Sequence, residues 1–125
     1  MYIIGLGTAT PAQRYTQDEC FQALAASDLY QTLTVRSQTI LRKVLNGTSG
    51  IATRHLALNP LNEFIQFNPD ALHKRFLRHA PALATEAARR ALADAHMDVH
   101  QVDAVIISTC TGYLCPGLSS YVIEQ

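Results

Sequence analysis

The spacing of apolar residues changes several times along the chain, and each change marks an expected element. Tyr2-Ile-Ile-Gly-Leu-Gly7 is apolar without alternation, the pattern of a short strand covered on both faces, and Thr8-Ala-Thr-Pro11 ends it. A helix follows. Thr16 stands as its N-cap, Glu19 is the capping-box partner three residues on, and Phe21, Leu24 and Ala25 form the apolar stripe. A second helix is expected from about Leu29 to Leu45. Its residues Leu33, Ile40, Leu41, Val44 and Leu45 fall into helical spacing in the second half, and Asn46-Gly47 closes it. Ile51 to Leu58 reads as extended and is bounded by Asn59-Pro60, while Leu61 to Asn68 carries no decisive period.

Asn68-Pro69-Asp70 opens the next element with proline in the first turn. Helical spacing runs on to about His96, but Pro81 lies inside it and predicts two helices. The second is rich in small residues, Ala84, Ala87, Ala88, Ala91 and Ala95, which permit close approach to a neighbouring element. After a polar turn over 98–101, Val102-Asp-Ala-Val-Ile-Ile-Ser-Thr109 has the pattern of a fully buried strand in a parallel sheet. Pro116-Gly117 starts a last helix. The order β, α, α, short β, α, α, β, α predicts an α/β chain with a mostly parallel sheet. Gln125 falls in mid-helix after the most central-looking strand, so part of a larger fold is expected.

Composition narrows the functional classes. With 125 residues the chain fits one domain, and no second domain is expected. Ten basic and ten acidic residues cancel and form no like-charged runs, which argues against nucleic-acid binding and a polybasic membrane patch. No apolar run approaches the roughly 20 residues of a membrane span, and Tyr2–Leu6 lacks the basic flank of a signal peptide. Cys20, Cys110 and Cys115 are an odd set without a C-x-x-C pair. A disulfide scaffold and a zinc site are therefore not expected, and a reducing cytoplasm is. Asn46-Gly47-Thr48 matches a glycosylation acceptor but reads as a helix cap.

Candidate chemistry concentrates where the strand of 102–109 gives way to the last helix, since ligands of open α/β sheets bind beyond the carboxyl ends of the strands. Ser108, Thr109 and Thr111 bring hydroxyls there, and Gly112 and Gly117 allow close backbone approach. Two readings stay open: a ligand pocket, or a strand exit whose small polar residues satisfy their own backbone. Cys110 and Cys115 suggest a nucleophile, yet a catalytic thiol needs an activating base. The histidines at 55, 73, 79, 96 and 100 stand in no partner motif, so both thiols default to inert cysteine, and no catalytic or metal-binding residue is assigned.

On three separated motifs the chain resembles the N-terminal portion of the type III polyketide synthases, the chalcone and stilbene synthase family. Ile3-Ile-Gly-Leu-Gly-Thr-Ala-Thr-Pro11 is similar to the family's first strand and its exit. Ser49-Gly-Ile-Ala-Thr-Arg-His55 is similar to its Ser-x-Ile-x-x-Arg segment, and Asp103 to Gln125 to its strand, serine- and threonine-rich turn and Pro-Gly helix start. The resemblance implies the N-terminal half of a thiolase-like fold, βαβαβ with helices flanking the sheet, incomplete here, in a protein that forms homodimers. It implies an acyltransferase that loads an acyl group from acyl-CoA onto a cysteine and extends it by decarboxylative condensation with malonyl-CoA. Both are substrates, and no cofactor is implied.

Residue by residue, the resemblance places Arg54 at the mouth of a CoA-binding tunnel, where a fixed cation suits nucleotide phosphates. It places Cys110 and Thr111 on the wall of the acyl cavity, and Cys115 where plant members have a methionine reaching into the partner subunit's cavity. Neither thiol matches the family's nucleophile, which stands in a Gly-Cys motif absent from this sequence; the family's histidine and asparagine have no counterpart here either. Two departures point to a bacterial-like member: Asn46-Gly-Thr-Ser-Gly-Ile-Ala-Thr53 replaces a lysine-rich segment, and Cys110-Thr-Gly-Tyr-Leu-Cys115 replaces the plant cavity turn. The chain alone is expected to be inactive. The alternatives are a ketoacyl synthase-type condensing enzyme of the same fold and a non-catalytic chain that works only with a partner subunit. On the non-catalytic reading, the isolated chain should expose a large apolar patch, because the strand Asp103–Ser108 should be central to a sheet whose other strands are absent.

Overall fold

The computed structural model describes residues 2–46, 50–110 and 112–125. They fall into two compact units, one of residues 11–68 and one of residues 1–10 with 69–125.

In the 11–68 unit, β1 (Arg14–Thr16) pairs antiparallel with β2 (Thr53–His55), in register Arg14↔His55, Tyr15↔Arg54 and Thr16↔Thr53. α1 (Gln17–Ala25) starts directly from β1 with the capping box expected of Thr16 and Glu19. The Glu19 N–H donates to Thr16 Oγ1 at 3.1 Å, and the Thr16 N–H donates to Glu19 Oε2 at 2.7 Å. The helix expected over 29–45 is two helices, α2 (Asp28–Thr32) and α3 (Val35–Asn46). Leu33 is extended between them, and Thr34 Oγ1 accepts from the Ser37 N–H at 3.2 Å, the bond of a new N-cap. Side-chain capping by threonine thus starts a new helix where the helical apolar spacing begins. Tyr30 centres the core, with the Phe21 ring edge-on at 6.0 Å and the Gln38 amide donating to its carbonyl at 3.1 Å. Residues Leu61–Ile65, without a clear period in sequence, form a 3₁₀ helix. The expected cap at Gly47 and the Asn46-Gly47-Thr48 acceptor site lie outside the described residues.

In the other unit, α4 runs unbroken over Pro69–Asp94 with Pro81 inside it, where two helices were expected. A mid-helix proline removes one hydrogen bond and crowds the preceding turn, at about 3 kcal/mol. Here Pro81 is itself buried, and the apolar burial of its ring opposes that cost. His96, at φ 53°, adopts the left-handed conformation that ends the helix, and the Met97 N–H closes on Leu92 O at 3.0 Å. α5 (Leu118–Ile123) begins after Gly117 as expected and packs against α4.

Two expected strands depart from the expectation. Neither 2–6 nor 102–109 has a ladder partner among the described residues, and the sheet observed there is the two-stranded antiparallel β1–β2 pair. Burial alternates with period two over Ile4–Thr10, the signature of extended chain, but the buried side carries Gly5, Gly7 and Ala9. Those glycines lie directly on α4. A Cβ on Gly5 would stand 2.7 Å from the Ala95 Cβ, and one on Gly7 would overlap the Ala87 carbonyl. Side chains of α4 take the place of a ladder partner along one edge: Asp94 accepts from the Leu6 N–H at 3.0 Å and Arg90 donates to Thr8 O at 2.9 Å. The apolar residues Tyr2, Ile3, Ile4 and Leu6 are exposed, as are Val105 and Ile106 of the segment read as fully buried. A strand is covered on both faces only when neighbouring strands and a second layer are present.

Candidate functional site

The residues singled out by sequence divide between the units. Arg54 belongs to the 11–68 unit, Cys110 and Cys115 to the other, and Thr111 lies outside the described residues.

Arg54 is held by local structure. The β1–β2 register sets it opposite Tyr15, and the Gln17 N–H extends the pairing to Ala52 O at 3.1 Å, while the Tyr15 hydroxyl donates to Leu58 O at 2.7 Å. Gln17 is the first residue of α1, and its Oε1 accepts from Arg54 Nε at 2.7 Å. Arg54 is half-buried; Gln17 is only 8% exposed, and its Nε2 is buried with no hydrogen-bond partner among the described residues. Cys20 stands one turn further along α1. Partial burial pushes its thiol pKa up, and the nearby Arg54 charge opposes that rise. His55 turns to Pro11, its Nδ1 2.8 Å from the carbonyl oxygen. An oriented guanidinium of this kind can receive a phosphate or carboxylate.

At the strand-to-helix junction the turn is closed by Thr109, whose hydroxyl donates to Gly112 O at 2.7 Å. This is the self-satisfying arrangement that the sequence left open beside a pocket. Gly112 lies against the Phe76 ring so closely that a Cβ there would overlap it, so a larger residue would force the ring aside. Leu114 is buried, whereas Cys110, Tyr113 and Cys115 are exposed.

The same unit holds a cavity of about 570 Å³ elsewhere, between α4, α5 and the 99–105 segment. Its walls include Leu92, Val102, Val105 and Ile123, with Thr85 and Arg89 as the polar members from α4. Arg89 Nη2 donates to Gln125 O at 2.8 Å. Neither Cys110 nor Cys115 lines this cavity. Sequence reasoning missed both it and Gln17. The Gln17–Arg54 bond joins residues 37 apart, and only the strand register makes them neighbours. Among the described residues, no three His, Cys, Asp or Glu side chains are grouped to hold a metal ion, and no helix is long and apolar enough to cross a membrane.

Comparison with known proteins supplies the relationship. No protein-family model matches the chain. It is 26% identical over 129 residues to the alpha-pyrone synthesis polyketide synthase-like Pks18 of Mycobacterium tuberculosis, an alignment covering 98% of this chain and 32% of that protein. It is 32% identical over 123 residues to the beta-ketoacyl-[acyl-carrier-protein] synthase III of Neisseria gonorrhoeae, covering 98% of this chain and 29% of the relative. In structure it matches PKS-I from the brown alga Ectocarpus siliculosus with a TM-score of 0.79 at 22% identity, covering 98% of this chain and 35% of that one. The chain thus spans about a third of the length of these relatives. Its α/β fold is that of part of a polyketide synthase, and its relatives are condensing enzymes of the polyketide and ketoacyl synthase kinds. Over nearly its whole length the chain is similar to relatives among the type III polyketide synthases.

Proposed function

We propose that these residues serve a decarboxylative condensation in which malonyl-CoA extends an acyl-CoA starter, as part of the N-terminal half of a thiolase-like, homodimeric enzyme. The alignment of 98% of the chain with a polyketide synthase carries this reading. In it, Arg54 contacts the nucleotide phosphates of CoA, a role suited to a half-buried guanidinium held by a neutral partner. Cys110, Thr111 and Cys115 form one wall of the acyl cavity, and the exposure of the two cysteines is what a wall completed by other chain would require. The nucleophile, base and enolate-stabilising groups of the reaction come from outside these 125 residues, which contain no Gly-Cys motif.

Mass spectrometry and a decarboxylation assay test this directly. Given acyl-CoA and malonyl-CoA, the chain should acquire no acyl group on Cys110 or Cys115 and release no carbon dioxide. Joined to the rest of a type III polyketide synthase, it should support release that depends on malonyl-CoA. Acylation of either cysteine in the chain alone overturns the assignment.

The 32% identity to a ketoacyl synthase III favours a second reading, a condensing enzyme that takes its extender from acyl carrier protein. Under that reading the joined protein would use malonyl-carrier protein in preference to malonyl-CoA.

A further inference from the structure

The guanidinium of Arg54 is held by an amide where a carboxylate would tie it better. Glutamate at position 17 would accept from Nε in the same way, add charge attraction and leave no donor stranded. Gln17 instead keeps a buried Nε2 without a partner among the described residues. As a tie alone, glutamine is the poorer choice. What the amide does, and glutamate does not, is fix the guanidinium while leaving its charge whole.

The direction of approach is set as well. An oxyanion meets a guanidinium either side-on, through Nε and one Nη, or end-on, through both Nη groups. Gln17 occupies Nε at 2.7 Å, which leaves the end-on fork, and no hydrogen bond or ion pair engages either Nη among the described residues. The neighbouring acid Glu19 is engaged through Oε2 with the Thr16 N–H at 2.7 Å and the Thr16 hydroxyl at 2.8 Å. The same capping box fixes the first turn of α1, and the Gln17 N–H is anchored on Ala52 O, so the amide sits on a framed backbone.

We propose that Gln17 is the positioning residue of an oxyanion site at Arg54, orienting the guanidinium for end-on contact with a phosphate while preserving its positive charge. This rests on the reading of Arg54 as a phosphate contact and adds to it a second residue, a direction and a reason for the amide.

The test compares the wild-type chain with Gln17→Glu and Gln17→Met by calorimetric titration with CoA, by thermal midpoint, and by the NMR signal of the Arg54 Nε–H. In the wild type that signal should be protected from exchange. Gln17→Glu should keep the signal and keep or raise the thermal midpoint, yet weaken CoA binding about tenfold, the effect of placing a counter-charge on the guanidinium. Gln17→Met should lose the protected signal and also bind more weakly. A stabilising role alone would not separate affinity from stability in this way. Unchanged CoA affinity in Gln17→Glu, or an unchanged Arg54 signal in Gln17→Met, overturns the proposal. Should the wild type bind no CoA, the CoA reading of Arg54 falls by itself, and inorganic phosphate decides the rest. A phosphate-induced shift at Arg54, present in the wild type and absent in Gln17→Glu, sustains the oxyanion site; no shift in the wild type overturns it.

Discussion

In the unit of residues 11–68, each strand finds its partner within the unit: Tyr15 opposite Arg54, with Gln17 and Ala52 extending the pairing. In the unit of 1–10 and 69–125, the extended segments lie on a helix with no ladder partner among the described residues, and their larger apolar side chains face outward. The first unit holds its main chain by pairing and capping, the second by glycine contacts and by the side chains of Asp94 and Arg90. The second unit leaves apolar surface uncovered, and the chain spans about a third of its relatives' length.

The largest effect should come from the glycine contacts. Gly7→Val would drive a side chain into the Ala87 carbonyl and the Ala91 amide of α4, backbone atoms that cannot turn aside. A loss of about 3 kcal/mol or more is expected, at the upper end for overpacked sites. Amide exchange should show protection lost along α4 while the β1–β2 pair stays protected. If both units lose protection together, they do not differ in the way described, and the comparison breaks.

A smaller effect should come from the capping box. Thr16→Ala removes the acceptor for the Glu19 N–H and should cost about 1 kcal/mol, read in the thermal midpoint. Hydrogen bonding by the Thr16 N–H, then by its hydroxyl, holds the Glu19 carboxyl below its ordinary 4.5. A lowered folded-state pKa means that this contribution is present above about pH 4.5 and is lost as pH falls through the lower folded value. Glu19→Gln should flatten that part of the stability profile in acid. An identical acid profile in wild type and Glu19→Gln would show that the box does not hold the carboxylate.

These two sites also show what was legible in sequence. The capping box lies within four residues, so its chemistry can be read directly from Thr16 and Glu19. The start of the last helix after Gly117, the end of α4 near His96 and the extended stretch containing β2 are equally local. The break expected at Pro81 did not occur: the helix runs through it with Pro81 buried, a setting fixed by distant chain that no short window contains. The Gln17–Arg54 contact was hidden for a related reason: it depends on strand register, and nothing near Gln17 announces its partner. Arg54 stood out by resemblance, yet the resemblance carried no sign of the amide that holds it.

The apolar run Val102–Ile107 is the sharpest case, because its reading and its surroundings disagree. Broken only by Asp103, a run of Val, Ile and Ala without alternation specifies a strand covered on both faces, yet Ile106 is 94% exposed. Among the described residues, Ile106 has almost no cover. Ile106→Ser should therefore change the thermal midpoint of the chain by less than about 0.5 kcal/mol equivalent, the ordinary range for an exposed position. In a protein completed by the rest of a condensing enzyme, the same substitution should cost about 2 kcal/mol or more, as for a large side chain lost from a core. Equal and small effects in both contexts would mean that Ile106 is surface in either, and the contrast between the two units would then reflect α4 packing alone.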